Sequence, residues 1–185
     1  DRNLVKKNLI TRKEWDFYQV SNGKLTVQLN FANLTLAGFV TAKLIDIEHG
    51  NEIIDCTKFF FGDKFIPPKK GDVPNRLKLK CGGAEVDFDT KETSRRLWFR
   101  CVTKDRGVVE CNFKMDIAPG LENITTVLPF DEDPTKYFMT TKQNCMPCEG
   151  TMRIGNETYT FTKDDSFGFL DWGRVNTIHK MVWYW

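Results

Sequence analysis

The sequence predicts an all-β chain, an antiparallel sandwich or barrel of about ten strands, and three features carry that prediction. Apolar and polar residues alternate with period two, turn-forming clusters separate the alternating runs, and no window keeps helical periodicity over about 12 residues. Alternation is plainest in Leu25, Val27, Leu29 and Phe31, and again in Val109, Cys111, Phe113, Met115 and Ile117, with polar residues between. Such runs place one face on a core and the other in water. Leu77, Leu79 and Cys81 lead into Gly82-Gly83, and Val86 and Phe88 follow; paired glycines supply the positive φ of a tight hairpin. Met152 and Ile154, Gly155-Asn156, then Tyr159 and Phe161 repeat that design. Further strands are expected at 38–46, 53–61, 95–102, 124–130 and 137–143. Turns are expected at His49-Gly50-Asn51, Pro67-Pro68, Asp105-Arg106-Gly107 and Asp131-Glu132-Asp133-Pro134, the last admitting a short helix near 131–137.

At 185 residues the chain suffices for one domain with a sizeable core. Its 27 basic and 25 acidic residues leave a net charge of +2, and the pairs Lys6-Lys7, Lys69-Lys70 and Arg95-Arg96 lie far apart. No continuous positive stripe results, which argues against nucleic acid or an anionic membrane as partner. No run approaches the roughly 18 apolar residues of a membrane-spanning helix. Several of the six cysteines fall inside strand patterns, where a thiol acts as a small buried hydrophobe. A chain this long needs no disulfide staples, so reduced thiols and a cytoplasmic location are expected. Sequons stand at Asn33, Asn123 and Asn156; with twelve Asn in the chain one or two would arise by chance, so they are only weak support for glycosylation.

From Lys136 to Arg174 the chain reads KYFMTTKQNCMPCEGTMRIGNETYTFTKDDSFGFLDWGR. The order K-x-N-C-M-x-x-x-G, a glycine hairpin, then F-G-x-L-D-W-G-R resembles the signature of the domain-of-unknown-function family 2804. The opening RKEWDFYQV, at Arg12 to Val20, also resembles that family's first strand. The resemblance implies a lipocalin-like β-barrel, related in layout to the hydroxyneurosporene synthase and tocopherol cyclase types, which carry two consecutive β domains. Residues 1–185 are then expected to be a single β domain, the first of two, with 171–185 leading toward the second. Two departures stand out: the glycine that follows the family's D-W-G-R is replaced by Val175, and a second half of comparable length is expected beyond Trp185.

Asp171-Trp172-Gly173-Arg174 is the most suggestive cluster. An acid and a guanidinium in this setting can form a charge-assisted pair at a barrel mouth. In the terpenoid-processing relatives an acid in an aromatic cavity protonates an alkene. That resemblance makes Asp171 the proton donor and Trp172, Trp183 and Trp185 the cavity walls. The plainer reading is a buried Asp171–Arg174 bridge that fixes a turn, because a nearby guanidinium opposes the raised pKa that a proton donor needs. Asp171 is therefore the single catalytic candidate, with catalysis not the favoured reading. Asp171, Trp172, Arg174, Trp183 and Trp185 are the expected binding residues.

Cys145-Met146-Pro147-Cys148 has thioredoxin-like spacing, but a hairpin follows it where a redox site needs a helix N-terminus. A zinc site would need a second pair, and the chain's two histidines, His49 and His179, lie far away. No metal and no cofactor are expected. No nucleophile elbow, phosphate loop or dinucleotide fingerprint is present. The sequence thus favours a non-catalytic binding or structural interaction domain, meeting a protein partner through the exposed apolar edge of its Trp-rich C-terminal strand. A lipocalin-like carrier of an apolar small molecule comes next. An acid-catalysed enzyme on lipid or isoprenoid substrates, centred on Asp171, comes last.

Overall fold

A computed structural model describes residues 12–62 and 74–177, and their regular structure is all strand. In chain order the strands are β1 (Arg12–Ser21), β2 (Leu25–Asn33), β3 (Ala37–Asp46), β4 (Asn51–Phe61), β5 (Asn75–Cys81), β6 (Ala84–Thr90), β7 (Ser94–Thr103), β8 (Gly107–Asp116), β9 (Asn123–Phe130), β10 (Asp133–Ile154), β11 (Glu157–Phe161) and β12 (Phe167–Asn176). Every pairing is antiparallel, in the order β4-β3-β2-β1-β12-β10-β8-β7-β6-β5. The two end strands, β4 and β5, approach each other and nearly close a barrel. Expected strands and both glycine hairpins are present, while the Pro67-Pro68 turn lies outside the described residues.

The organising element is β10, at 22 residues the longest strand. Its first part pairs with β12 on one side and β9 on the other; its second part, Cys148–Ile154, pairs with β8, and Gly150–Ile154 also with β11. Two sheets thus share one strand. The ladder to β12 shifts register between Gln143 and Met146, where Cys145 has a φ of 57°, the conformation of a bulge. The sequence pattern predicts two strands here, at 137–143 and 152–154, because the bulge, Pro147 and Gly150 together mimic a turn. Instead Gly150 is gripped between neighbours: a Cβ there would sit 2.2 Å from the Asn112 carbonyl, and the rings of its two register partners, Phe113 and Phe161, meet edge-on at 5.4 Å. No helix forms at 131–137, because Asp133 Oδ1 accepts the Thr135 N–H in a side-chain turn and β10 begins there.

The alternation that predicted the strands also fills the barrel. Val27, Leu29 and Phe31 from β2, Val86 and Phe88 from β6, Leu97 and Phe99 from β7, and Cys111, Phe113 and Met115 from β8 are fully enclosed. Each large side chain so buried stabilises the fold by about 1.5–3 kcal/mol. Tyr18 packs edge-on against Phe88 at 5.4 Å, and Phe31 stacks on Phe60 at 6.1 Å. Asn33 is buried with its Oδ1 accepting the Thr35 N–H, which closes that sequon, while Asn123 and Asn156 are exposed.

Cys56 on β4 and Cys101 on β7 form a disulfide, with Cα atoms 7.3 Å apart. This corrects the expectation of uniformly reduced cysteines: both face the barrel interior from strands distant in the sheet order, a meeting that sequence spacing does not reveal. Cys81, Cys111, Cys145 and Cys148 are free. Thiol titration in denaturant is expected to count four groups before reduction and six after it. Six in both states would refute the bridge.

Candidate functional site

Strand β12 carries the DWGR cluster, and it runs in mid-sheet between β1 and β10 instead of turning a corner. Side chains one apart on a strand point to opposite faces, and so do side chains three apart. Asp171 faces outward, and Trp172 and Arg174 share the inner face. Its Oδ1 accepts from Trp15 Nε1 and Thr140 Oγ1, both at 3.0 Å, and its Oδ2 forms an ion pair with Lys142, its register partner on β10. Beside it lies an apolar outer cavity of about 220 Å³, walled by Trp15, Leu34, Phe138 and Val175. Gly173 lets this arrangement close: a Cβ there would lie 2.0 Å from the Trp15 ring.

Arg174 points inward and its Nε donates to Glu14 Oε1 at 2.7 Å, with both side chains buried. Its guanidinium lies 5.6 Å from the centre of the Trp172 ring. The expected Asp171–Arg174 bridge is thus replaced by Asp171–Lys142 on the outer face and Arg174–Glu14 on the inner one. Strand parity forbids the expected pair. Trp172 and Asp171 are likewise separated, and Trp183 and Trp185 lie outside the described residues.

The inner face holds a second set of polar groups that sequence reading did not connect. Asp16 on β1 is 8% exposed and Arg95 on β7 is 9% exposed. Arg95 Nη1 donates to Thr90 Oγ1 at 3.3 Å and Nη2 to Gln143 Oε1 at 3.2 Å; the Tyr18 hydroxyl lies 3.5 Å from Thr90 Oγ1. Asp16 Oδ1 and Arg95 Nε are buried with no hydrogen-bond partner. Burial pushes the Asp16 carboxyl up to about 6, against the opposing pull of Arg95 and the Tyr18 hydroxyl. Burial also raises the Tyr18 phenol, with the Asp16 charge adding to it.

Asp16, Tyr18, Asn75, Thr90, Arg95, Thr141, Leu170 and Trp172 line a chamber of about 40 Å³. Arg95, Thr141 and Trp172 also wall a larger hollow of about 650 Å³, which opens between the 92–93 turn, the 117–121 segment and the inner face of β9 and β10. Met139, Gln143, Ile117 and Leu121 complete its lining. The hollow lies where β9 and β8 part on the same side of β10. Thr125 and Thr141 meet there, hydroxyl to hydroxyl, at 2.9 Å.

The model of the family described as Domain of unknown function (DUF2804) matches residues 1–185. The chain belongs to that family. A solved structure similar to this DUF2804 chain is that of a protein described as a candidate AttH from Nitrosomonas europaea, with a TM-score of 0.60 at 12% identity. The match covers 96% of this chain and 55% of the other, so the DUF2804 chain spans about half the length of that protein. At such identity the likeness shows the fold alone. No curated protein matches the chain.

Parity held a readable signal for Arg95, which shares its face of β7 with Leu97, Phe99 and Cys101. A charge heading a buried apolar row needs an interior partner. Asp16 was harder to see, since both faces of β1 mix charged and aromatic residues. Of the C-x-P-C pair, Cys145 is exposed at the bulge and Cys148 is buried, its thiol pushed up to about 12 by desolvation. His49 sits in an exposed turn against Asp46 at 2.8 Å, and His179 lies outside the described residues. Among the described residues no three His, Cys, Asp or Glu side chains gather as a metal set, and no helix is long and apolar enough to cross a membrane.

Proposed function

We propose that this domain is a binding module whose small-molecule site is the hollow at the barrel mouth, and that it works without catalysing a reaction. The observation behind the reading is that hollow: about 650 Å³, with Trp172, Met139, Ile117 and Leu121 on its walls and Arg95 at its inner end. Ligand sites commonly fall within about 300–1,000 Å³ and combine apolar walls with a few fixed polar groups. The outward face of Asp171 and its ion pair with Lys142 weigh against the acid-catalysed alternative, since the carboxyl is held as an acceptor away from the hollow. The Cys56–Cys101 bridge favours an oxidising compartment over the cytoplasm, because such bridges persist where thiols are not kept reduced.

Methyl decyl ether, an apolar probe of suitable length, is expected to bind the wild-type protein in calorimetry. Thr141→Trp, which fills the hollow, should abolish that heat, and Asp171→Asn should leave it unchanged. The reverse pattern would move the site to the outer cavity and overturn the proposal.

A second reading, attachment to a protein partner, has its own observation. Strand β9 pairs with β10 alone among the described strands and leaves Ile124, Val127 and Leu128 exposed by 71%, 55% and 52%. An apolar strand edge of this kind is a surface on which another chain can add. The edge expected at the Trp-rich C-terminus lies outside the described residues.

A further inference from the structure

The hollow at the mouth is mixed in character, but the chamber behind it is built for one chemistry. Its polar lining, which includes Tyr18, Asn75, Thr90 and Thr141, holds two opposite charges, Asp16 and Arg95, each at least nine-tenths buried and each with an unused hydrogen-bonding atom. Asp16 Oδ1 lacks a donor and Arg95 Nε lacks an acceptor. Buried polar atoms are almost always partnered, by protein, water or ligand, because an unmade hydrogen bond leaves desolvation uncompensated. Two complementary unpartnered atoms on side chains that line one small chamber match a group that gives one hydrogen bond and takes another.

Charge narrows the group further. An anion would share Arg95 with Thr90 and Gln143, which already accept from Nη1 and Nη2, and would meet the Asp16 carboxylate as a like charge. A cation would meet Arg95. The two walls sum to no net charge, which favours a neutral occupant. At about 40 Å³ the chamber takes only a few heavy atoms, so the remainder of any ligand must lie in the outer hollow. The two spaces share Arg95, Thr141 and Trp172, so such a molecule would run continuously from the chamber to the mouth.

We infer that the Asp16–Arg95 chamber is the head-group pocket of this domain, taking a neutral hydroxyl or primary amide that donates to Asp16 Oδ1 and accepts from Arg95 Nε, on a ligand whose apolar body lies against Trp172 in the outer hollow. This rests on the hollow being a ligand site. It adds the class of ligand: a neutral amphiphile with a donor–acceptor head, as opposed to a fatty anion, an amine or a plain hydrocarbon. Tyr18, Thr90 and Gln143 are positioning residues here, since Thr90 and Gln143 accept from the two Nη groups of Arg95 and Tyr18 lies against the Thr90 hydroxyl.

The test uses a matched series on one decyl chain: decanol, decanamide, methyl decyl ether and decanoate, each titrated into the full protein at pH 8. Decanol and decanamide are expected to bind about tenfold to a hundredfold more tightly than the ether and decanoate, the range for a hydrogen bond to a charged group. Asp16→Leu should erase the preference for decanol over the ether, with the far-ultraviolet circular dichroism spectrum reporting that the variant is folded. Arg95→Met should do the same. Equal affinity across the series would overturn the head-group assignment and leave the binding-module reading standing. Tighter binding of decanoate would also overturn it. Failure of all four probes, ether included, would overturn the binding-module reading and this inference with it.

Discussion

Arg174→Ala is expected to lower the unfolding free energy by about 3–5 kcal/mol, the usual loss when one member of a buried ion pair is removed. Arg174 and Glu14 face each other in register on β12 and β1, joined at 2.7 Å inside the barrel with side chains 5% and 3% exposed. Alanine leaves the Glu14 carboxylate without that partner in a site that water scarcely reaches. It also strips the guanidinium from the face of Trp172. The double variant Glu14→Leu/Arg174→Met, which removes both charges at similar volume, should recover most of the loss. Urea unfolding of the single and double variants measures both. A single-variant loss under about 1 kcal/mol, or a double variant as damaged as the single, would show that the pair is not what holds the two strands.

Asp16→Asn is expected to act in the opposite direction. Burial pushes the carboxyl up to about 6 in the folded protein from its ordinary 3.8, so the folded chain holds its proton more tightly. Below about pH 4 both states are protonated and the side chain contributes its full share to folding. That share is lost as the pH rises through 6. About two units at 1.36 kcal/mol each is a penalty of roughly 3 kcal/mol carried at neutral pH. Asparagine keeps the shape without the charge, so the variant should be more stable than the parent by about 2–3 kcal/mol at pH 8. The two should converge near pH 4. Melting temperatures measured between pH 4 and 8 give the comparison, and parallel curves would refute it. A group retained at such a penalty belongs to the class of residues kept for a task other than stability.

How much of this was readable in the chain follows from what alternation can and cannot encode. At 25–31 and 109–117 the period-two pattern marks both strand and buried face, and β2 and β8 follow it. Alternation says nothing about which strands meet, so the Cys56–Cys101 bridge and the approach of Arg95 to Gln143 were invisible. The composition of the DWGR cluster suggests an internal bridge, yet its spacing excludes one on a strand, because three steps along a strand change face. Asp16 was hidden for a different reason. In RKEWDFYQV the outward Trp15 and Phe17 are as aromatic as the inward Tyr18, since Trp15 covers Gly173 and packs on Phe138 at 5.9 Å. With both faces covered, polarity no longer distinguishes inside from outside.

The irregularity at Asn144 and Cys145 sets the phase of the whole mouth. Ahead of it the odd-numbered Met139, Thr141 and Gln143 look into the hollow; beyond it the even-numbered Met146, Cys148 and Met152 look into the core. One inserted position lets a single strand serve a wet compartment and a dry one in succession. Without that step, keeping the dry half in place would turn Thr140 and Lys142 into the hollow and swing Gln143 away from Arg95. The electrostatic character of the compartment is therefore written in the backbone count of β10 as much as in the side chains that line it.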